Sequence, residues 1–429
     1  MSISLIILST LIIALAAVPL VKPRVVYEYP FVVGLFLTAW MLPQAWAVEH
    51  DGLAGAFDPT IAWNYMTLSL VFLVAGYILG RLTGTQHAKT NKTEISTMYS
   101  ERRMTQAAVV LIAVGAVCYP ITSRMAATND YGNGWTGVIL IYALLGQCLV
   151  FGAALTFLIF LRTKDKVALI LFCGATAMFS PVLLFSIKRE FIFEFAIIIF
   201  GSLFFVKNLV PPRFLLIVGS VIGAFIVNNA GDIRGYVKNN DSSLIGALTS
   251  SDFTENASQP KAPEIAGAVS DIAIASETGE YHPFVSIYNG LISRYIPAFV
   301  VGRDIKNSIT MKTSEDSPLS NRYFTMGATR TGFSDTFRGF WYFGVLCFAL
   351  VGFLFGAMFN LASAGGLRYQ YLYVTMLSTG LHAITHGFDE FVASLPFLLL
   401  VIWLPFRYAR ITRAESRRLM AALRLREQS

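Results

Sequence analysis

Residues 186 to 195 read SIKREFIFEF: Lys188, Arg189 and Glu190 stand consecutively, with Glu194 one helical turn on, between two apolar runs. A charge at the centre of a bilayer costs at least about 2.5 kcal/mol, so charges that persist there need a reason. Two readings are open. One is a short interfacial turn whose lysine snorkels to water and whose arginine pairs with Glu190 or Glu194. The other is an anion site. Arginine grips phosphate through two parallel N–H donors, and Arg234, Arg294, Arg303, Arg330 and Arg338 follow further along the chain. Taken singly, each reads equally well as a solvated loop cation. Taken together near one membrane boundary, they suggest a phosphate or pyrophosphate held at headgroup level.

A second constellation is GLHAITHGFDEF, residues 380 to 391. His382 and His386 are four residues apart, and a continuous helix would place Glu390 on the same face with Asp389 beside it. Two histidines one turn apart plus a carboxylate can form half of a metal site, but no HExxH follows. Structural pairing is a second reading. The third is an acid or base, because a histidine beside a carboxylate can take a proton from a hydroxyl.

The elements that must position these groups are apolar. Hydrophobic residues make up 55% of the 429, charged ones 14%, and the mean hydropathy is +0.60. That balance describes a polytopic membrane protein. A helix needs roughly 20 apolar residues to cross the hydrocarbon, and about eleven stretches meet or approach that length. They lie near 3–21, 30–48, 63–80, 105–123, 136–161, 167–187, 191–206, 213–229, 339–360, 371–388 and 391–407. Long continuous runs contradict the alternation of a membrane barrel, so the expected fold is all-α. The first run has no basic residue before its apolar core and is expected to be a span rather than a signal peptide. Cys118, Cys148, Cys173 and Cys347 show no CxxC spacing and read as small core residues.

Lys22, Arg24, Arg81, Lys89, Lys92, Arg102, Arg103, Arg162, Lys164, Lys166, Lys207, Arg213, Arg368 and the arginines after Phe406 fall on one side of an odd number of spans. The positive-inside rule makes that side cytoplasmic, with the N-terminus outside and the tail inside. Basic loops of this kind produce the net charge of +7 without any nucleic-acid partner. The expected organisation is a bundle of eight spans over 1–229 and one large external loop over 230–338. Three further spans over 339–407 and a basic tail over 408–429 complete it. The stretch HPFVSIYNGLISRYIPAFVVG is too interrupted for a span and is expected to form an interfacial helix near 284–302.

Residues 331 to 359, TGFSDTFRGFWYFGVLCFALVGFLFGAMF, resemble the oligosaccharide repeat-unit polymerases of the Wzy or O-antigen type. The features that carry the likeness are an acidic residue after the big loop, Asp335, then Tyr342, Phe343 and Gly344, and the glycines Gly352 and Gly356. SIKREFIFEF and AGDIRGY resemble the earlier arginine motifs of that family, so the likeness covers roughly 186 to 360. Asp335 stands where glutamate is commoner, and the odd span count differs from the even counts often drawn.

The resemblance implies a GT-C-like glycosyltransferase of the bacterial inner membrane. Such an enzyme takes a glycan from undecaprenyl pyrophosphate and joins it to the sugar of another lipid-linked repeat unit. It would make a surface polysaccharide such as O-antigen, capsule or exopolysaccharide, with a flippase and a chain-length regulator as partners. No cofactor is implied, since the energy sits in the sugar pyrophosphate bond. On this expectation Arg189, Arg234 and Arg294 bind the donor pyrophosphate. His386, or else Asp335 or Glu390, takes the acceptor proton, and Arg338 holds a carboxylate or the second pyrophosphate. The rivals are an O-antigen ligase and a transporter or flippase of lipid-linked glycans, the latter expected to show internal repeats or broken mid-membrane helices.

Overall fold

The computed structural model describes residues 2–50, 58–90, 99–128, 138–181, 189–223, 264–311 and 331–411, and within them the chain is built from helices. In chain order these are α1 (Ile3–Val21), α2 (Tyr29–His50), α3 (Thr60–Thr90), α4 (Glu101–Thr128), α5 (Val138–Gly146), α6 (Cys148–Thr163), α7 (Lys166–Pro181) and α8 (Arg189–Lys207). Then come α9 (Arg213–Gly223), α10 (Glu264–Thr278), α11 (Val285–Tyr295), α12 (Ala298–Val301), α13 (Arg303–Ile309), α14 (Gly332–Phe340), α15 (Val345–Ser363), α16 (Leu367–Thr385) and α17 (Phe388–Ala409). All four cysteines are free.

Seven segments among the described residues are long and apolar enough to cross a membrane: Ile3–Val21, Tyr29–His50, Thr60–Gly84, Glu101–Thr122, Val138–Thr163, Gly332–Ser363 and Phe388–Ala409. Of the other four expected spans, the described parts are shorter or more polar, with 182–187 and 224–229 outside the described residues. Lys166–Phe179 and Arg213–Gly223 are short apolar helices, and α8 carries Arg189, Glu190, Glu194 and Lys207.

The α16 helix has a different reason for its polarity. Tyr373, Met376, Leu377 and Leu381 pack into one core of the molecule, and Tyr371 and Val374 into the other. A helix wrapped by protein on both sides has no need of a lipid-facing stripe, so it tolerates the buried Gln370, Thr375 and Ser378. Its tyrosines find carbonyl acceptors, as buried phenols must. Tyr373 donates to Tyr27 O at 2.7 Å and Tyr371 to Phe151 O at 3.1 Å, while Tyr29 donates into the helix at Gly380 O at 2.6 Å.

The closest helix pairing joins α3 to α15. Gly76, Gly80 and Gly84 recur every fourth residue on one, Gly352 and Gly356 on the other. A Cβ at Gly76 or Gly80 would collide with the carbonyl oxygens of Ala349 or Phe353, and one at Gly352 or Gly356 with those of Leu73 or Tyr77. In lipid, where hydrophobicity cannot drive helices together, such backbone approach supplies van der Waals packing. Two of the glycines in the family-like stretch therefore have a packing role.

That pairing fixes α15, and α14 is wedged above it. Thr331 Oγ1 accepts from Ser334 N at 3.4 Å, and Ser334 Oγ accepts from Thr331 N at 3.3 Å, a reciprocal cap that starts α14. A Cβ at Gly332 would strike Ala383 O of α16. Thr336 Oγ1 lies 2.9 Å from the Tyr65 hydroxyl on α3, and Phe337 packs edge-on against the Tyr65 ring. The chain then turns through Trp341 at φ 52° and a single 3-10 turn before α15.

The basic loops gather at the other end of the bundle. There Arg81 pairs with Glu28 at 3.0 Å, Arg162 donates to Gly365 O at 2.7 Å, and Tyr99 bridges Arg410.

Candidate functional site

At the end away from the basic loops, a cavity of about 690 Å³ opens between α5, α11, α14 and α17. The charged side chains that line it are Arg294, Arg338, Asp335, Asp389 and Glu390, joined by His282. Leu140, Ala143 and Leu144 of α5 form an apolar wall.

Asp335 is held by α14 and is 8% exposed. Its Oδ2 accepts from the backbone N–H of Asp389 at 3.1 Å. The reason lies in α17, which begins after Gly387 at φ 134° with no side-chain cap from its own N-cap residue. The first N–H groups of a helix have no intrahelical partner and carry partial positive charge, so a carboxylate from a neighbouring helix satisfies both needs. Asp389 Oδ1 in turn accepts from Glu390 N at 2.8 Å.

The two arginines are held differently. Arg294 meets Glu390 at 2.7 Å, with side-chain exposures of 18% and 52%. Arg338 stands 3.7 Å from Asp271 of α10, with exposures of 14% and 6%. An ion pair with one half in solvent is worth about 0–1 kcal/mol and is readily exchanged. One buried on both sides resists opening, because each charge left behind stays desolvated. Arg294 is thus the guanidinium free to change partners, and Arg338 is a fixed positive wall.

His282 is tied by its backbone N–H to Arg338 O at 2.8 Å, and its Nε2 is buried with no hydrogen-bond partner among the described residues. Beside it, Tyr281 stacks on Trp341 with ring centres 4.4 Å apart. Next to Arg294, Tyr295 puts its hydroxyl inside the hydrogen-bond ladder of α17: it donates to Ala393 O at 2.7 Å and accepts from Phe397 N at 3.1 Å. Those two backbone groups stand four residues apart in α17, and the neighbouring Pro396 has no N–H of its own to give to the ladder. Burial pushes the Tyr295 phenol up from its ordinary value, so it remains a neutral donor.

Of the residues singled out in the sequence, Asp335, Glu390, Arg294 and Arg338 meet in this cavity. His386 does not line it. It lies just past the end of α16 on an exposed corner, with Nδ1 2.7 Å from Thr385 Oγ1, and its ring meets that of His382 edge-on. The expected single face running through His382, His386 and Glu390 is broken, since Gly387 ends one helix and starts the next. Arg234 and Arg330 lie outside the described residues, and of Arg189 only the backbone, the first residue of α8, is described.

Sequence reasoning passed over His282 and Asp271. The second left a signal, as the lone acidic residue in the middle of the apolar run IAGAVSDIAIA. No protein-family model, curated protein or solved structure matches the chain. The chemistry of the cavity must be argued from its own groups. Two guanidinium groups suit an anion, an unpartnered imidazole nitrogen beside carboxylates suits a hydroxyl, and the apolar wall suits a lipid chain.

Proposed function

We propose that the protein is a membrane glycosyltransferase that polymerises lipid-linked oligosaccharide repeat units, with the first cavity as its active site. The observation that supports this most is the meeting of Arg294, Arg338, Asp335 and His282 in one cleft beside apolar helices. In this reading the cavity faces the outer leaflet of a bacterial inner membrane and the basic end faces the cytoplasm.

The donor pyrophosphate docks on Arg294, which gives up Glu390 for it, with Arg338 as a second positive charge. The acceptor sugar hydroxyl attacks the anomeric carbon of the donor. Its proton passes to His282 Nε2 while the bond from the anomeric carbon to the pyrophosphate oxygen breaks, and the polyprenyl pyrophosphate leaves with the electron pair. Stabilising the charge that grows on the leaving group is the arginines' contribution, commonly a few kcal/mol per group. Asp335 positions the first turn of α17, and with it Asp389 and Glu390. Leu140, Ala143 and Leu144 flank the isoprenoid.

The experiment is reconstitution of the purified protein in vesicles with a lipid-pyrophosphate repeat unit. A ladder of products supports polymerisation, and transfer of a single unit to a different acceptor lipid would indicate a ligase instead. Movement of the intact donor across the bilayer without new glycosidic bonds would make it a transporter.

A further inference from the structure

A second cavity, of about 730 Å³, lies at the basic end of the molecule. The α6 helix sets the distance between the two. Gln147, immediately before its first residue, lines the first cavity, and Leu161, Arg162 and Thr163 in its last turn line the second. Sixteen residues at about 1.5 Å each span about 24 Å, somewhat less than a hydrocarbon core of roughly 30 Å. That spacing would let one cavity sit near each headgroup layer.

The second cavity has a built cationic edge. Arg162 is anchored from behind: Nη2 donates to Gly365 O at 2.7 Å and to Oε1 of the buried Gln370 at 2.8 Å. Both bonds use one nitrogen, so Nε and Nη1 keep their donors for something else. Gln370 is itself fixed by donating to Ala362 O at 3.1 Å. Lys207, at the end of α8, is exposed and has no hydrogen-bond partner among the described residues. These two cations outnumber the one carboxylate in the lining, Glu101. The remainder of the wall includes Ile159, Phe205, Val206 and Leu367, all apolar.

We propose that this cavity binds the phosphodiester headgroup of an anionic membrane lipid, with Arg162 and Lys207 on the phosphate and an acyl chain against Phe205 and Leu367. A soluble phosphate would satisfy the cations but leave the apolar wall wet. A zwitterionic lipid would bring its own cation toward Lys207. An anionic lipid answers both constraints, and basic pockets between helices at the positively flanked face are where such headgroups collect. The inference stands apart from the proposed transfer reaction, since it uses the opposite end of the bundle and none of the residues of the first cavity.

The test is native mass spectrometry of the full-length protein released from detergent and titrated with phosphatidylglycerol or phosphatidylcholine. The expected result is retention of phosphatidylglycerol over phosphatidylcholine. Affinity should fall roughly fivefold in Lys207→Gln, the effect of about one cation near the surface, and further in Arg162→Gln. Arg162 also braces the turn before α16, so Lys207→Gln, which touches no internal bond, is read by itself if Arg162→Gln lowers the melting temperature. Equal retention of the two lipids, or phosphatidylglycerol binding unchanged in Lys207→Gln, would overturn the proposal. So would displacement of the lipid by millimolar inorganic phosphate, which would identify a site for a soluble anion.

Discussion

Asp335 Oδ2 accepts a hydrogen bond from the backbone N–H of Asp389 at 3.1 Å, joining the buried helix α14 to the first turn of α17 across 54 residues of sequence. The carboxylate serves as the cap that α17 lacks from its own N-cap residue, Gly387. Removing such a cap costs about 0.5–2 kcal/mol. Asp335→Ala should lower the melting temperature of the detergent-solubilised protein. Asp335→Asn, which keeps an acceptor oxygen, should retain most of that stability while losing the charge. Equal melting temperatures for wild type and Asp335→Ala would show that the contact does not support α17.

Arg294 and Arg338 should separate cleanly on stability. Arg338→Ala removes the guanidinium beside the nearly buried Asp271 carboxylate, and breaking a buried pair typically costs about 3–5 kcal/mol; adding Asp271→Asn should restore part of the loss. Arg294→Ala opens a pair whose other half is in solvent, so the change in stability should stay within about 1 kcal/mol. Thermal or denaturant unfolding of the three variants checks this, and similar losses for the two arginines would contradict it.

Tyr295→Phe removes one oxygen and leaves two backbone groups of α17, Ala393 O and Phe397 N, without their bridge. An intramolecular hydrogen bond contributes about 0.5–1.5 kcal/mol net, so the variant should be destabilised by roughly that amount. Hydrogen exchange should rise locally around Phe397. Unchanged exchange there would mean that the ladder closes without the phenol.

The α3 and α15 interface should be intolerant of bulk. Gly80→Val or Gly352→Val places a side chain where a carbonyl oxygen already lies, and should abolish the folded form or lower its yield sharply. Gly174→Ala, where a Cβ would meet nothing within 4 Å, should be neutral or stabilise the helix by up to about 1 kcal/mol. Size-exclusion profiles and melting curves decide. Equal tolerance at both kinds of position would refute the close packing.

Composition and run length made the lipid-facing helices legible, because a helix such as α1 must be apolar wherever it meets hydrocarbon. The span expected over 371–388 falls on α16, Leu367–Thr385, whose polar residues are covered by the two cores it packs into. Of the arginines read as a group, Arg294 and Arg338 share a cavity with Asp335 and Glu390, and Arg303 does not line it. Their partners were not legible, since Asp271 reaches Arg338 only through tertiary packing. His386 looked aligned with Glu390 because helical periodicity was carried across Gly387, a residue whose positive φ ends the period. His282 offered no spacing signal at all; only its position beside Arg338 and its unpartnered buried nitrogen single it out. The GxxxG repeats were readable in GYILGRLTG and GFLFG, and were passed over because the second lay within a stretch read for its family likeness.

The most direct test of the central claim is product formation by the reconstituted protein with a lipid-pyrophosphate repeat unit, comparing wild type with Arg294→Ala, His282→Gln and Gly174→Ala at equal folded amounts. The account predicts a ladder of glycan products for wild type and Gly174→Ala. Rates should fall on the order of a hundredfold in Arg294→Ala and His282→Gln, the scale of losing a group that acts on the transition state. A wild-type protein that forms no glycosidic bond, or a ladder that survives both substitutions undiminished, would contradict it.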